Sequence, residues 1–289
     1  MKLENLVLIG VGLIGGSFAL DLKRSGQLQH VHGIDINPDN LERAIERNVI
    51  DTGSTTLAQD YIANADLILM ATPIGQFAPI LQQLNPLLKT GTIITDVGST
   101  KREVIAAFKT HLPEHFHHYI ATHPIAGSDR SGAISAQFGL FKDKKVILCP
   151  HEAQNEEAFH LINTLWQSIG ATTFVLTPQE HDQVFASVSH LPHLLSFAFI
   201  HQIINQHSAD QNLFFAGTGF QDFTRIASSD PSVWTDICLA NQDILIDLIE
   251  QNQQELNQIS HYLKQADKKA LFDYFAQAKQ SRDQWLTNK

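Results

Sequence analysis

The feature that most constrains this chain is its opening. Leu6-Val7-Leu8-Ile9 runs directly into Gly10-Val11-Gly12-Leu13-Ile14-Gly15-Gly16-Ser17. An apolar stretch of strand length meets glycines spaced G-x-G-x-x-G, and Phe18-Ala19-Leu20 then continues at helical spacing. Gly10 permits a tight turn, Gly12 lets backbone touch a pyrophosphate, and Gly15 lets helix and strand pack closely. A helix beginning at Leu13 and Ile14 aims free N–H groups and a positive dipole end at phosphate. A plain βα turn can carry the same glycines, so the next apolar run matters. Val31-His32-Gly33-Ile34 ends in Asp35, 20 residues after Gly15. That is where a dinucleotide fold places the acid that holds the adenosine ribose hydroxyls. The pattern points to a nicotinamide or flavin dinucleotide. The Asp35 carboxylate accepts from a ribose diol and repels a 2′-phosphate, and Ile36-Asn37-Pro38 offers no arginine to offset that repulsion. NAD is therefore expected over NADP.

Composition narrows the class further. A chain of 289 residues is long enough for two domains and a sizeable core. With 43% hydrophobic and 17% charged residues it reads as globular. A net charge of −10 argues against nucleic acid, which needs clustered Lys and Arg, and means that an anionic substrate must be held by a few local cations. Cys149 and Cys238 lie far apart, so neither a disulfide framework nor a cysteine zinc motif is suggested. His115-Phe116-His117-His118 lacks the spacing and carboxylates of a metal site and reads as a solvated loop. The N-terminus enters a strand without a charged leader, and no uninterrupted apolar stretch reaches the roughly 18 residues of a membrane span. A soluble cytoplasmic protein is expected, with no membrane partner.

The first half alternates short apolar runs with helical patterns, the mark of a parallel, doubly wound sheet. Expected strands are Leu6–Ile9, Val31–Ile34, Leu67–Ala71, Thr92–Asp96, Tyr119–Thr122, Lys145–Cys149 and Thr173–Leu176. Ligands sit in the loops at the carboxyl ends of such strands. After the third comes Ala71-Thr72-Pro73-Ile74-Gly75, where Thr72 and Pro73 either end a strand or pass beside the cofactor. After the fourth comes Asp96-Val97-Gly98-Ser99-Thr100-Lys101, readable as a helix start with Ser99 or Thr100 as N-cap and Glu103 in the first turn. That reading also leaves a hydroxyl at the cleft rim. After the fifth comes His123-Pro124-Ile125-Ala126-Gly127-Ser128-Asp129. His123 is either a locally hydrogen-bonded loop residue or the proton acceptor that hydride transfer from an alcohol requires.

The chain changes character at Thr177-Pro178-Gln179-Glu180, a strong helix start, and the pattern is helical from there on. A domain boundary is expected near Leu176, with a nucleotide-binding domain over 1–176 and an all-helical domain over 177–289. The first helix, about Gln179 to His207, should bend at Pro192 and place Asp182, Ser189 and His193 on one face with Phe185. Gly217-Thr218-Gly219-Phe220-Gln221-Asp222-Phe223-Thr224-Arg225 reads as a glycine-rich loop whose arginine is either a surface cation or a bidentate partner for a carboxylate. Asp230-Pro231 opens a helix expected to run to about Gln265. The helical half is small to cover such a rod, so dimerisation through it is expected.

Taken together, five segments resemble the prephenate dehydrogenase family. They are the glycine turn, Asp96 to Lys101, His123 to Ser128, His190-Leu191-Pro192-His193, and Gly219 to Arg225. The first is generic; their combination in this order is specific, and the likeness covers nearly the whole chain. The resemblance implies a Rossmann domain followed by an all-helical domain that dimerises and completes the active site. It implies NAD-dependent oxidation and decarboxylation of prephenate to 4-hydroxyphenylpyruvate, with no metal. By the same resemblance His123 is the catalytic histidine, and Ser99 orients the substrate hydroxyl and that histidine. Arg225 holds a substrate carboxylate, and His193 and Ser189 line the substrate pocket. His181-Asp182 match a pair near the cleft. Asp129 stands where many relatives carry a gating Glu, which leaves that role open. A fused regulatory domain and a fused chorismate mutase are not expected. Alternatives are an arogenate or dual-specificity cyclohexadienyl dehydrogenase, a β-hydroxyacid dehydrogenase or imine reductase, and a non-catalytic NAD-binding regulator.

Overall fold

The computed structural model of the chain describes residues 2–126 and 132–288. Eight strands form one sheet: β1 (Leu3–Ile9), β2 (Leu28–Ile34), β3 (Thr52–Ser54), β4 (Leu67–Met70), β5 (Ile93–Asp96), β6 (Tyr119–Ile125), β7 (Lys145–Cys149) and β8 (Thr172–Val175). Their order is β3-β2-β1-β4-β5-β6-β7-β8. The helices are α1 (Leu13–Arg24), α2 (Pro38–Glu46), α3 (Gln59–Ile62), α4 (Phe77–Leu84), α5 (Arg102–His111), α6 (Glu156–Ser168), α7 (Pro178–Phe185), α8 (Leu191–Ile204), α9 (Ala209–Phe214), α10 (Thr218–Thr224), α11 (Pro231–Ala240), α12 (Gln242–Lys264) and α13 (Lys268–Thr287). β1, β4 and the inner half of β2 are buried on both faces, which is why they read as near-continuous apolar runs. One apolar layer joins Phe18 of α1, Leu41 of α2 and Trp166 of α6. The other joins Phe77 and Leu81 of α4, Phe108 of α5 and Phe185 of α7. The doubly wound α/β sheet followed by helices is the fold class the sequence implies.

Three expectations about the sheet need correction. β3 is an added edge strand over Thr52-Gly53-Ser54, too short and polar to show as an apolar run. β7 runs antiparallel to β6, so the sheet is mixed rather than wholly parallel. For the same reason β6 continues through Ile125, and His123 lies in a strand opposite Ile147, not in a loop beyond one. The antiparallel partner supplies backbone hydrogen bonds that a strand ending at Thr122 would lack.

The helical part also departs from simple periodicity. The expected first helix is divided into α7, a π-turn over Ala186–His190, and α8. Pro192 has no N–H for the carbonyl four residues back, and its ring crowds that carbonyl. A widened turn just before it relieves both. Gly217–Arg225 is not a loop: α10 occupies Thr218–Thr224, and Arg225 opens a 3₁₀ turn to Ser228. The expected rod from Asp230 breaks at Asn241, which is fully buried with φ −127° and ψ 28°.

The chain forms two compact units, Met1–Gln242 and Asp243–Lys289. The first holds the sheet and α1 to α11. In the second, Tyr274 of α13 donates its hydroxyl to Glu255 of α12 at 2.7 Å. Leu256, Leu263, Phe272, Phe275 and Trp285 there are each more than half exposed.

Gly10 is where backbone geometry most restricts the sequence. Its φ is +92°, and a Cβ there would sit 2.6 Å from the Ala71 carbonyl oxygen. Gly10→Ala should lower unfolding stability by about 1–3 kcal/mol, read as a fall in the denaturant midpoint at unchanged slope.

Candidate active site

The glycine turn and the loop after β4 make one cradle. The Gly10 backbone packs closely on Ala71 and the Thr72 amide, so the two turns lie side by side. Gly12 is the N-cap of α1, with no side chain capping the helix. A Cβ on Gly12 would meet nothing within 4 Å, whereas one on Gly15 would lie 2.5 Å from Leu8 Cδ1. Gly15 therefore serves packing and Gly12 faces open space. Leu13 is buried, so it presents its N–H rather than its side chain to a ligand; Ile14 is half-buried. Thr72 Oγ1 is buried without a hydrogen-bond partner, a hydroxyl ready for a ligand atom.

Asp35 closes the other end of the cradle. Its Oδ2 accepts Val11 N–H at 3.1 Å and Asn40 Nδ2–H at 2.8 Å; its Oδ1 accepts Asn37 N–H at 2.9 Å. Three donors orient the carboxylate and leave it half exposed. Free N–H groups, an open glycine, an unpartnered hydroxyl and an oriented acid fit a dinucleotide. These residues would hold it.

Beside the cradle lies a buried polar network. Asp96, the last residue of β5, is fully buried. It accepts Lys101 Nζ at 2.5 Å, Tyr119 Oη at 2.8 Å, Gly98 N–H at 2.7 Å and Thr122 N–H at 3.1 Å. Lys101, equally buried, is the N-cap residue of α5, so the expected capping by Ser99 or Thr100 does not occur. The capping carboxylate comes instead from α7. Asp182 accepts Lys101 N–H at 2.8 Å, Arg102 N–H at 3.0 Å and Arg102 Nε–H at 3.1 Å. Ser99 is half-buried in the loop just before this start, and the Thr100 hydroxyl is buried without a partner.

Asp182 also accepts from His181 Nδ1 at 2.8 Å, and His181 Nε2 lies 2.8 Å from His123 Nδ1. An ionised carboxylate can only accept, so His181 carries its proton on Nδ1 and offers a lone pair at Nε2. His123 must then donate from Nδ1. Its own Nε2 is left with a lone pair and no protein partner among the described residues. Burial, then the nearby His181, Lys101 and His190, hold the His123 imidazole well below its ordinary pKa. Burial also lowers His181 against the opposing pull of Asp182, and lowers His190 to about 4. Burial works against the Asp182 carboxylate, but its donors His181, Arg102 and Lys101 prevail and its pKa falls. The arrangement is thus a buried anion, two neutral imidazoles and an unprotonated Nε2.

The helical wall continues from here. Asn241 donates to the Asp182 carbonyl at 2.9 Å, accepts Arg102 Nη2–H at 2.8 Å and lies 3.4 Å from His190 Nδ1. His193 donates Nδ1–H to the Ser189 carbonyl at 2.8 Å and stacks on Trp234 with ring centres 3.6 Å apart. Burial lowers the His193 pKa, and the positive charge of Arg225 lowers it further. Arg225 itself is exposed and Ser189 half-buried. The π-turn rewinds the chain between Phe185 and Leu191, so the straight-helix face expected for Asp182, Ser189 and His193 does not apply. Asp182 points into the network while His193 stacks on Trp234. Asp236 of α11 accepts Gly75 N–H at 2.9 Å and ties that helix to the cradle loop. Asp129 lies outside the described residues. No cluster that could hold a metal ion occurs among the described residues.

The structure thus joins His123 through His181 and Asp182 to Asn241 and His190, and Trp234 meets the rings of both His190 and His193. Sequence reasoning missed Asp96, Lys101, Arg102, Trp234 and Asn241 around this network, and Asp236 on the cradle loop. Asp96 and Lys101 bound a segment whose hydroxyls drew attention, but an isolated Asp or Lys carries no sign that it is buried. Nothing in the spacing of Asn241 or Trp234 marks them.

Cradle and site define a dinucleotide-binding oxidoreductase of the Rossmann class. The chain matches "Prephenate dehydrogenase, nucleotide-binding domain" over residues 18–175 and "Prephenate dehydrogenase, dimerization domain" over 177–277. It is 35% identical to the prephenate dehydrogenase of Bacillus subtilis over 97% of its length and 76% of that protein. The crystal structure of Aquifex aeolicus prephenate dehydrogenase in complex with hydroxyphenyl propionate and NAD+ superposes with a TM-score of 0.91 at 33% identity, covering 98% of this chain and 99% of that one. Synechocystis arogenate dehydrogenase superposes at 0.79 and 27% identity, covering 97% and 99%. The chain belongs to the prephenate dehydrogenase family.

Gly12→Ala separates stability from binding. The methyl meets no protein atom, so thermal unfolding should hardly move, while NAD affinity by calorimetry should fall about tenfold or more as it enters the pyrophosphate's place.

Proposed function

We propose that this chain catalyses the NAD-dependent oxidative decarboxylation of prephenate to 4-hydroxyphenylpyruvate, in the synthesis of tyrosine. The observation that carries the reading is His123. It is a neutral imidazole on β6, with a defined lone pair on Nε2, held by the His181–Asp182 pair of α7. When bound, NAD supplies the acceptor for the hydride that leaves the ring carbinol carbon. His123 Nε2 takes the hydroxyl proton of that carbinol. Ser99, in the loop beside α5, orients the hydroxyl. Arg225 binds a substrate carboxylate, with Ser189 and His193 completing the pocket wall. Loss of the ring carboxylate as CO2 aromatises the ring and makes the step effectively irreversible. The protein's tasks are orientation, charge complementarity and one base.

Gly10, Gly12, Leu13, Ile14, Gly15, Thr72 and Pro73 cradle the dinucleotide. Asp35 selects NAD, since its carboxylate would repel a 2′-phosphate. The Bacillus and Aquifex relatives, both prephenate dehydrogenases, support prephenate over arogenate. The nucleotide-binding domain ends at Leu176 and the helical domain begins at Thr177.

A homodimer accounts for the helical surface. α8 is apolar around its circumference, yet Ser196 is its only buried residue in a single chain. Pro178–Ile204 is long and apolar enough by composition to cross a membrane, with mean hydropathy 1.3. His181, Asp182 and His190, however, are buried in the polar network. A second copy of the chain, rather than lipid, covers this face.

NADH formation with prephenate and with arogenate, measured in parallel, tests the reading. A kcat/KM at least tenfold higher for prephenate is expected, and a preference for arogenate would reassign the substrate. His123→Asn should cut kcat by about 10²- to 10⁴-fold with NAD affinity nearly unchanged. Arg225→Gln should chiefly raise KM for prephenate, on the order of 10-fold or more, through loss of a charge-assisted contact. Only neutral His123 accepts a proton, and burial depresses its pKa. Activity should therefore persist as pH falls through the ordinary histidine range near 6.5 and fail below it, instead of within it as for an unperturbed imidazole.

A further inference from the structure

We propose that the proton taken up by His123 is passed on to His181, which with Asp182 forms the positive end of a two-imidazole relay. The inference rests on the oxidation of a carbinol proposed above and adds a second residue that accepts its proton.

The geometry sets the direction of transfer. At rest, Asp182 Oδ1 accepts His181 Nδ1–H at 2.8 Å, and His181 Nε2 accepts His123 Nδ1–H at 2.8 Å. The substrate hydroxyl proton binds His123 Nε2 as the O–H bond breaks. The Nδ1 proton of His123 crosses to His181 Nε2. His123 is then neutral in its other tautomer, His181 is an imidazolium with both nitrogens protonated, and Asp182 remains a carboxylate. No proton is gained or lost within the triad beyond the one taken from substrate. Return along the same bond and release from Nε2 restores the resting state.

The charges around the two rings favour this end point. His123 meets His181 and Phe185 of α7, and the charges of Lys101 at the start of α5 and His190 in the π-turn act on it. Each of these ionisable neighbours opposes a cation on His123. His181 also meets Lys101, but two carboxylates, Asp182 and Asp96, favour its charged form. The Cys149 thiol, near Lys101, Asp96 and Asp182, has a pKa raised to about 12 and stays protonated. A cation is thus better placed on His181, one ring further from the reacting carbon. Arg102 and the amides of Lys101 and Arg102 hold Asp182 in place.

His181→Gln separates relay from positioning, because Gln retains an acceptor for His123 Nδ1–H but cannot take its proton. Single-turnover NADH formation should fall by about 10- to 100-fold in His181→Gln and equally in His181→Ala, with NAD and prephenate affinities within threefold of wild type. A wild-type rate in the Gln variant would overturn the relay while leaving the reaction intact. Silence of the wild-type enzyme with both prephenate and arogenate would overturn the reaction and the relay with it. A readout independent of turnover is the ring 15N–1H correlation spectrum of the dinucleotide-free protein at pH 7.5. It should show both His123 and His181 as Nδ1–H tautomers, and an Nε2–H tautomer at His123 would refute the wiring even if His181→Ala fails to fold.

Discussion

The Asp182 carboxylate is the interaction on which the site depends. A buried carboxylate costs several kcal/mol unless its lone pairs are filled, and here backbone amides, a guanidinium and an imidazole fill them. One side chain of α7 thereby caps α5, orders the segment carrying Ser99 and sets the protonation pattern of two histidines. The bonds that cap the helix and the bond that orients His181 share the same two oxygen atoms. Removing them would strip the partners from two amide donors and one imidazole donor at once.

Asp96 and Lys101 do the complementary work inside the sheet. Their fully buried pair is closed off by Tyr119, Thr122 and Gly98, so the end of β5 is rigid where the cofactor loop and the histidine strand meet. Such a pair is poor evidence for net stability but strong evidence for a defined geometry when every lone pair is used. The antiparallel partner β7 extends the same rigidity to His123. A side chain on a paired strand holds its position more tightly than one on a free loop.

Much of the cradle was legible in the residues because its logic is local. Gly10 needs a positive φ, Gly15 needs space against Leu8, and Asp35 needs only to end the next strand. The helix start at Thr177 was equally plain, and a full capping box forms there with Glu180. The site beyond the cradle was legible only as residue types. His123 and Arg225 could be singled out for their chemistry and, with Ser99, by resemblance. The partner of each could not. The Asp182 cap spans 81 residues to Lys101, and Gly75 meets Asp236 across 161. The break at Asn241 was hidden for a related reason: apolar residues at helical spacing run through it, and only burial of its amide among Asp182, Arg102 and His190 pulls the backbone out of register.

By itself, then, the sequence determined what neighbouring residues settle among themselves. These are the glycine turn, the apolar strands, the capped helix starts and the succession of an α/β half by a helical one. Tertiary structure alone decided the antiparallel strand under His123, the π-turn ahead of Pro192, and which nitrogen of each imidazole carries a proton. The physical reason is that steric and backbone preferences act over a few residues, whereas the state of a buried charge depends on every donor the fold brings to it. Those donors come from distant parts of the chain.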